Sequence, residues 1–144
     1  MEKFKKMYSW LNRIFNSLFR KKRVKTLDTE FFFYGNITIK EKIPEDTQVE
    51  DKDFIEIIYK GQSFWSIFKC PCGCGNVISL PLKETHDPHW KLKRSVNGRP
   101  TLYPSVWQNK GCCSHFWVID GKIEWCRNSG IKPWIAEPKF YKKT

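Results

Sequence analysis

The chain contains no uninterrupted apolar run suited to a secretory signal, and no stretch long enough to span a bilayer. An exported disulfide scaffold is therefore not expected. The six cysteines are read instead as reduced thiols of a cytoplasmic protein, available to a metal. There is no H-E-x-x-H, the helical signature of one large class of zinc peptidases. The zinc-deaminase pattern, H-x-E followed by P-C-x-x-C, is missing too: Pro71-Cys72-Gly73-Cys74 is one residue short, and no H-x-E exists. No internal repeat is apparent. Outside its first 26 residues the chain also has little net charge. The leader holds nine Lys/Arg and one Glu, leaving 17 basic and 14 acidic residues in the body, only +3 of the total +11. This argues against a body generally coated by nucleic acid.

Aromatic residues, by contrast, are plentiful: seven Trp and eleven Phe in 144 residues predict one domain with an aromatic core, plus a tail. The period-two runs Ile37–Ile39, Phe54–Tyr59, Ser63–Phe68, Val77–Leu82, Trp90–Val96, Thr101–Tyr103, Phe116–Ile119 and Lys122–Trp125 read as strands. Phe31–Tyr34 belongs with them, ahead of the turn Gly35-Asn36. Hairpin turns are marked by Lys60-Gly61, Asn97-Gly98 and Asp120-Gly121. The acid-rich segment Ile43 to Lys52, with Pro44, reads as a surface connection. The expected fold is mainly β: a small zinc-centred β-hairpin domain over residues 28–126, with a basic amphipathic helix over 1–27. An irregular basic tail over 127–144 would be anchored by Trp134 or Phe140. In the helix, over residues 3–19, Phe4, Met7, Tyr8, Leu11, Ile14, Phe15 and Leu18 form one apolar stripe, closed by Arg20-Lys21-Lys22-Arg23. Two readings of that stripe compete. One docks it on the domain's own core, and the other lays residues 1–26 on an anionic membrane surface, making the protein peripheral there. Attraction to nucleic acid ranks below both.

The chemistry concentrates at Cys70-Pro71-Cys72-Gly73-Cys74-Gly75 and Cys112-Cys113-Ser114-His115. Three alternating thiols in a strand would point to two faces, which packing does not require but a metal does. Thiolate sulfurs must converge on one point about 2.3 Å away, and the glycines let the backbone fold over it. The expected ligands of a Zn2+ ion are Cys72 and Cys74 with Cys112 and His115, the latter two at C-x2-H spacing, and Cys70 is a rival to either knuckle cysteine. Cys113 should point away, and Cys126 should be a buried free thiol. The pair His86 and His89 has ligand-like spacing but loop-like surroundings.

These residues resemble a bacterial family of small metal-binding proteins that share C-P-C-G-C-G, then P-L, a Trp, L-x-P-S-[IV] and C-x-S-H-[FY]-W-I. The matching stretches are Cys70 to Gly75, Pro81-Leu82, Trp90, Leu102 to Val106, Cys112 to Val118 and Trp125, so the resemblance covers roughly residues 43–126. Cys113 fills a usually variable position, Cys126 has no counterpart, and the basic leader lies outside. Members are found beside bacterial ubiquitin-like proteins and their activating and conjugating enzymes. The resemblance implies a peptidase or deubiquitinase-like role, trimming or removing such a tag, with the ubiquitin-like protein or its conjugation enzymes as partner.

Two mechanisms would serve a peptidase. A zinc-bound water could attack the carbonyl, if one thiolate gives up its place on the ion. Otherwise zinc is structural, and Ser105 or Ser114 is the nucleophile with a histidine, His115 or another, as base. The second mechanism conflicts with His115 as a ligand. Each serine also has an ordinary role open to it: Ser105 as a turn residue, Ser114 as a hydrogen-bond partner beside the knuckle. A non-catalytic alternative remains, in which zinc staples a small β domain and Trp107 and Trp117 bind a protein partner or stack on single-stranded nucleic acid.

Overall fold

The computed structural model describes residues 34–141. The amphipathic helix expected over 3–19, with its core-docking and membrane readings, and residues 31–33 of the first predicted strand lie outside the described residues, as does the side chain of Phe140. In chain order the strands are β1 (Thr38–Lys40), β2 (Phe54–Tyr59), β3 (Gln62–Lys69), β4 (Val77–Pro81), β5 (Lys91–Arg94), β6 (Pro100–Tyr103), β7 (Val106–Trp107), β8 (His115–Ile119) and β9 (Lys122–Trp125). The fold is mainly β, as the periodicity predicts.

Local turn chemistry sets most of the pairing. Lys60 (φ 49°) with Gly61 (φ 74°), and Asp120 (φ 48°) with Gly121 (φ 74°), each put two successive residues at positive φ. That backbone twist matches antiparallel strands joined by two residues. These turns close β2 on β3 and β8 on β9. Asn97-Gly98 lies between β5 and β6, where Gly98 N–H donates to the Ser95 carbonyl at 2.9 Å. A four-stranded sheet runs β1-β2-β3-β4, with β1 parallel to β2 and the other pairs antiparallel. The remaining strands form a two-stranded β5-β6 ribbon and a three-stranded β7-β8-β9 sheet.

Alternation along β2 and β3 gives the four-stranded sheet two apolar faces. Phe54 and Phe68 go to the main core with Tyr34, Ile78, Leu102, Val106, Phe116 and Val118. Ile55, Ile57 and Ile67 go to a smaller cluster closed by Val49. The acid-rich connection is thus more than a surface link. It places a 3-10 turn at Asp46–Gln48 and buries Val49 behind the sheet. The Phe54 and Phe68 rings stack at 4.9 Å, and Tyr34 meets both edge-on at 5.5 and 5.2 Å. Such offset and edge contacts suit the ring quadrupole. Tyr34 O–H donates to the Lys69 carbonyl at 2.6 Å, at the point where β3 runs into the cysteine knuckle.

The segment after Cys126 differs from the irregular tail expected. It forms two single-turn helices, α1 (Pro133–Ala136) and α2 (Pro138–Tyr141). Pro133, whose fixed φ suits a first helical position, is buried there, while Trp134 is half exposed. Among the described residues no helix is long and apolar enough to cross a membrane.

Candidate active site and thiol cluster

The turn between β3 and β4 is the cysteine knuckle itself. Lys69 pairs with Val77, and Cys70 N–H donates to the Asn76 carbonyl at 2.8 Å, pinching the seven-residue loop shut. Gly73 (φ 85°) and Gly75 (φ 82°) take the left-handed conformations that this tight reversal needs. The loop brings Cys70, Cys72 and Cys74 to Cys112, which arrives from the β7–β8 connection. All four sulfurs lie within 4.8 Å of one another.

The Cys70 and Cys72 sulfurs are 3.4 Å apart, and those of Cys70 and Cys112 are 3.8 Å apart. Sulfurs around one tetrahedral ion with bonds of about 2.3 Å stand roughly 3.8 Å apart, so this donor set fits a metal ion such as zinc. The Cys74 amide and the Ser114 hydroxyl point at sulfur, on Cys72 at 3.3 Å and on Cys112 at 3.2 Å. Hydrogen bonds of this kind steady thiolates around a metal.

The three knuckle thiols are unlike. Burial pushes Cys70 well above the ordinary thiol range, and it pushes Cys74 up as well. Cys72 is also raised by burial, but the nearby Ser114 hydroxyl dipole and the Cys74 amide outweigh this and bring it down to about 7.

His115 is not part of this cluster. Its Nε2 meets Ser105 Oγ at 2.9 Å, and its Nδ1 meets Asn128 Oδ1 at 2.5 Å. An amide oxygen only accepts, so Nδ1 carries the proton and Nε2 is the acceptor for the Ser105 hydroxyl. Cys70, the rival to a knuckle cysteine, instead completes the group of close sulfurs, and the expected ligand His115 stands outside it. The reason is local. Cys113 sits at φ 51°, turning the chain between the Cys112 loop and the start of β8. The C-x2-H spacing therefore spans a corner.

Strand pairing brings the serine to the histidine. Trp107 on β7 pairs with His115 on β8, so Ser105, just before β7, arrives beside the imidazole. The Trp107 and His115 rings stack at 4.2 Å and 3°. From the other side, residues 126–131 hold the histidine's backbone. Cys126 N–H donates to the His115 carbonyl at 2.9 Å, and His115 N–H donates to Ser129 Oγ at 3.0 Å. Trp107 is fixed in turn by donating its indole N–H to the Ile131 carbonyl at 3.2 Å. Trp90 donates to the Ser105 carbonyl at 3.3 Å.

Ser105 and His115 are partly exposed, and Ser114 is 3% exposed with its hydroxyl on a thiol. Cys113 is buried and Cys126 half-buried, both outside the cluster. His86 packs against Trp65 at 5.6 Å, and His89 Nδ1 lies 2.9 Å from the His86 carbonyl, away from the thiols' chemistry. Asn128, Ser129 and the stacking role of Trp107 are not legible in the sequence, because no spacing rule links residue 128 to residue 115.

The sequence model of one family, described as bacterial ubiquitination-like system serine protease (BubE), matches residues 39–126. No curated protein and no solved structure matches the chain.

Proposed function

We propose, from the premise that this chain belongs to the bacterial ubiquitination-like system serine protease family, that it is a serine peptidase acting on a ubiquitin-like protein. Ser105 is the nucleophile, His115 the general base and Asn128 the residue that orients it. The observation that carries this reading is the unbroken line Ser105 Oγ – His115 Nε2, His115 Nδ1 – Asn128 Oδ1. Nucleophile, base and orienting group stand in hydrogen-bond contact on a partly exposed surface, which is the geometry acyl transfer needs.

In the reaction, Ser105 Oγ attacks the scissile carbonyl while its proton passes to Nε2. The imidazolium then gives that proton to the leaving amine. Asn128 keeps Nδ1 protonated throughout, so Nε2 stays competent as a base. A water repeats the sequence to release the acyl group and regenerate Ser105. Trp107 limits how far the ring can tilt.

The thiol cluster takes a structural role in this reading. Bound there, zinc would supply a closed cross-link and no open position. Cys70, Cys72 and Cys74 would hold it from the knuckle and Cys112 from the β7–β8 loop, three residues before the base. The partner is the ubiquitin-like protein or its conjugation enzymes, in the cytoplasm.

A serine-directed fluorophosphonate tests the assignment. Wild-type protein should form one adduct on the peptide containing Ser105, and His115→Ala should suppress it while far-UV circular dichroism is unchanged. Incubation with a ubiquitin-like substrate carrying a C-terminal extension should give cleavage that Ser105→Ala abolishes. An adduct on Ser114, or cleavage surviving in folded Ser105→Ala, would refute the nucleophile.

A further inference from the structure

The outer faces of two neighbouring elements continue from the serine–histidine pair into a groove. On β8 the burial alternates, so that His115, Trp117 and Ile119 lie on one face and Phe116 and Val118 on the other. On β6, Thr101 and Tyr103 face outward, and Tyr103 is two residues before Ser105. The Tyr103 and Trp117 rings meet at 6.0 Å. Beyond them lies a cavity of about 350 Å³, lined by Lys91, Lys93, Thr101, Tyr103, Trp117 and Ile119.

Three features of this groove point to what it takes. Its floor is apolar, yet Tyr103 and Ile119 remain 64% and 41% exposed, so the fold itself does not use that surface. Its volume matches one or two large side chains rather than a whole domain. Its outer wall is cationic on one side: Lys91 pairs across the ribbon with Tyr103, and Lys93 with Thr101. Among the described residues no ion pair involves either lysine. The opposite side differs, because β9 sets Glu124 across from Trp117 and Lys122 across from Ile119. Charge complementarity therefore favours an anionic group on the β5 side only.

Resting on the serine-peptidase reading, we propose that this groove is a specificity subsite for the peptide being cleaved. It takes a large apolar side chain of the segment flanking the scissile bond, with an adjacent acidic side chain placed on Lys91 and Lys93. Tyr103 and Trp117 form its floor. Because Ser105 and His115 sit at the ends of the same two faces, a chain lying in the groove delivers its next carbonyl to the nucleophile.

The test uses the full chain with Ser105→Ala, so that peptides bind without turnover, and follows the Trp117 indole N–H signal by NMR, assigned through Trp117→Phe. The probes are two capped pentapeptides, Gly-Glu-Phe-Glu-Gly and Gly-Lys-Phe-Lys-Gly. The acidic peptide should shift the Trp117 signal and bind at least tenfold more tightly than the basic one. The double variant Lys91→Glu/Lys93→Glu, altered only at exposed side chains, should reverse that order. An unmoved Trp117 signal, equal binding of both peptides, or a preference that survives the charge reversal would overturn the proposal. A parallel arm gives Ser105-intact protein longer versions of both peptides. Cleavage without charge preference would sink the subsite and spare the peptidase. Binding at Trp117 without any cleavage would sink the peptidase, and the groove with it as a substrate subsite.

Discussion

Replacing Asn128 by alanine isolates the least expected member of the site. The substitution removes the acceptor for His115 Nδ1, a contact of 2.5 Å. Because His115 is partly exposed, water can take over part of that bond. The loss is then about 0.5–1.5 kcal/mol rather than the full penalty of a buried orphan. A second loss adds to it: without Oδ1 the proton is free to move to Nε2, and that tautomer cannot accept from Ser105. Ring orientation is less affected, since the Trp107 stack and both backbone hydrogen bonds survive. Together these give about 1–3 kcal/mol on the barrier, or a fall in kcat of roughly 5- to 150-fold with KM little changed. Asn128→Asp should restore most of the rate. Its carboxylate accepts the same proton and favours the imidazolium, so the acid limb of the pH–rate profile should move to higher pH. Steady-state kinetics on the extended ubiquitin-like substrate reads all three quantities. A kcat within twofold of wild type for Asn128→Ala, a loss confined to KM, or an acid limb moving to lower pH in Asn128→Asp would refute the orienting role.

Elemental analysis should find one zinc ion per chain, and Cys112→Ser or a strong chelator should unfold the protein. A structural zinc contributes about 10–16 kcal/mol of apparent binding energy, against a usual total stability of about 5–15 kcal/mol. An unchanged thermal transition after chelation would count against the cross-link. Metal uptake should also depend on pH. Cys72 is brought down to about 7, so its thiolate favours the folded, ion-ready form above the ordinary thiol range, and that advantage fades as pH falls through about 7. Zinc competition titrations should show weaker binding at about pH 6 than at about pH 8, and equal affinities would contradict the assignment. Gly121→Ala should be strongly destabilising: an added Cβ would lie 2.4 Å from the Tyr34 carbonyl oxygen, at φ 74°. The backbone conformation alone costs about 1–3 kcal/mol, and a denaturant midpoint equal to wild type would show that the turn can yield.

How much of this was legible beforehand follows from the range over which each feature is determined. Lys60-Gly61 and Asp120-Gly121 dictate their turns within two residues, and the alternation of Phe54–Tyr59 or Phe116–Ile119 shows within five. Strands and hairpins were therefore readable. The convergence of the Cys70–Gly75 knuckle on Cys112 was also readable, because thiols spaced by glycine have few other uses. The identity of the fourth ligand was not. Cys112 and His115 have a spacing that suits one ion, and only the turn at Cys113 separates them. Val106–Trp107 was missed as a strand because two residues carry no period, yet that strand is what sets Ser105 beside His115. Asn128 was invisible for the same reason: its contact depends on where the chain goes after Cys126.

That last stretch changes what counts as the working unit. The family match ends at residue 126, while the amide that steadies the imidazole, the hydroxyl beneath its backbone and the carbonyl that pins the stacked indole come from residues 128, 129 and 131. A fragment ended at the family boundary would keep nucleophile and base but lose what aims one at the other. On the proposed mechanism its imidazole would lack the Asn128 and Ser129 contacts, so inactivity of such a fragment would not bear on the full chain.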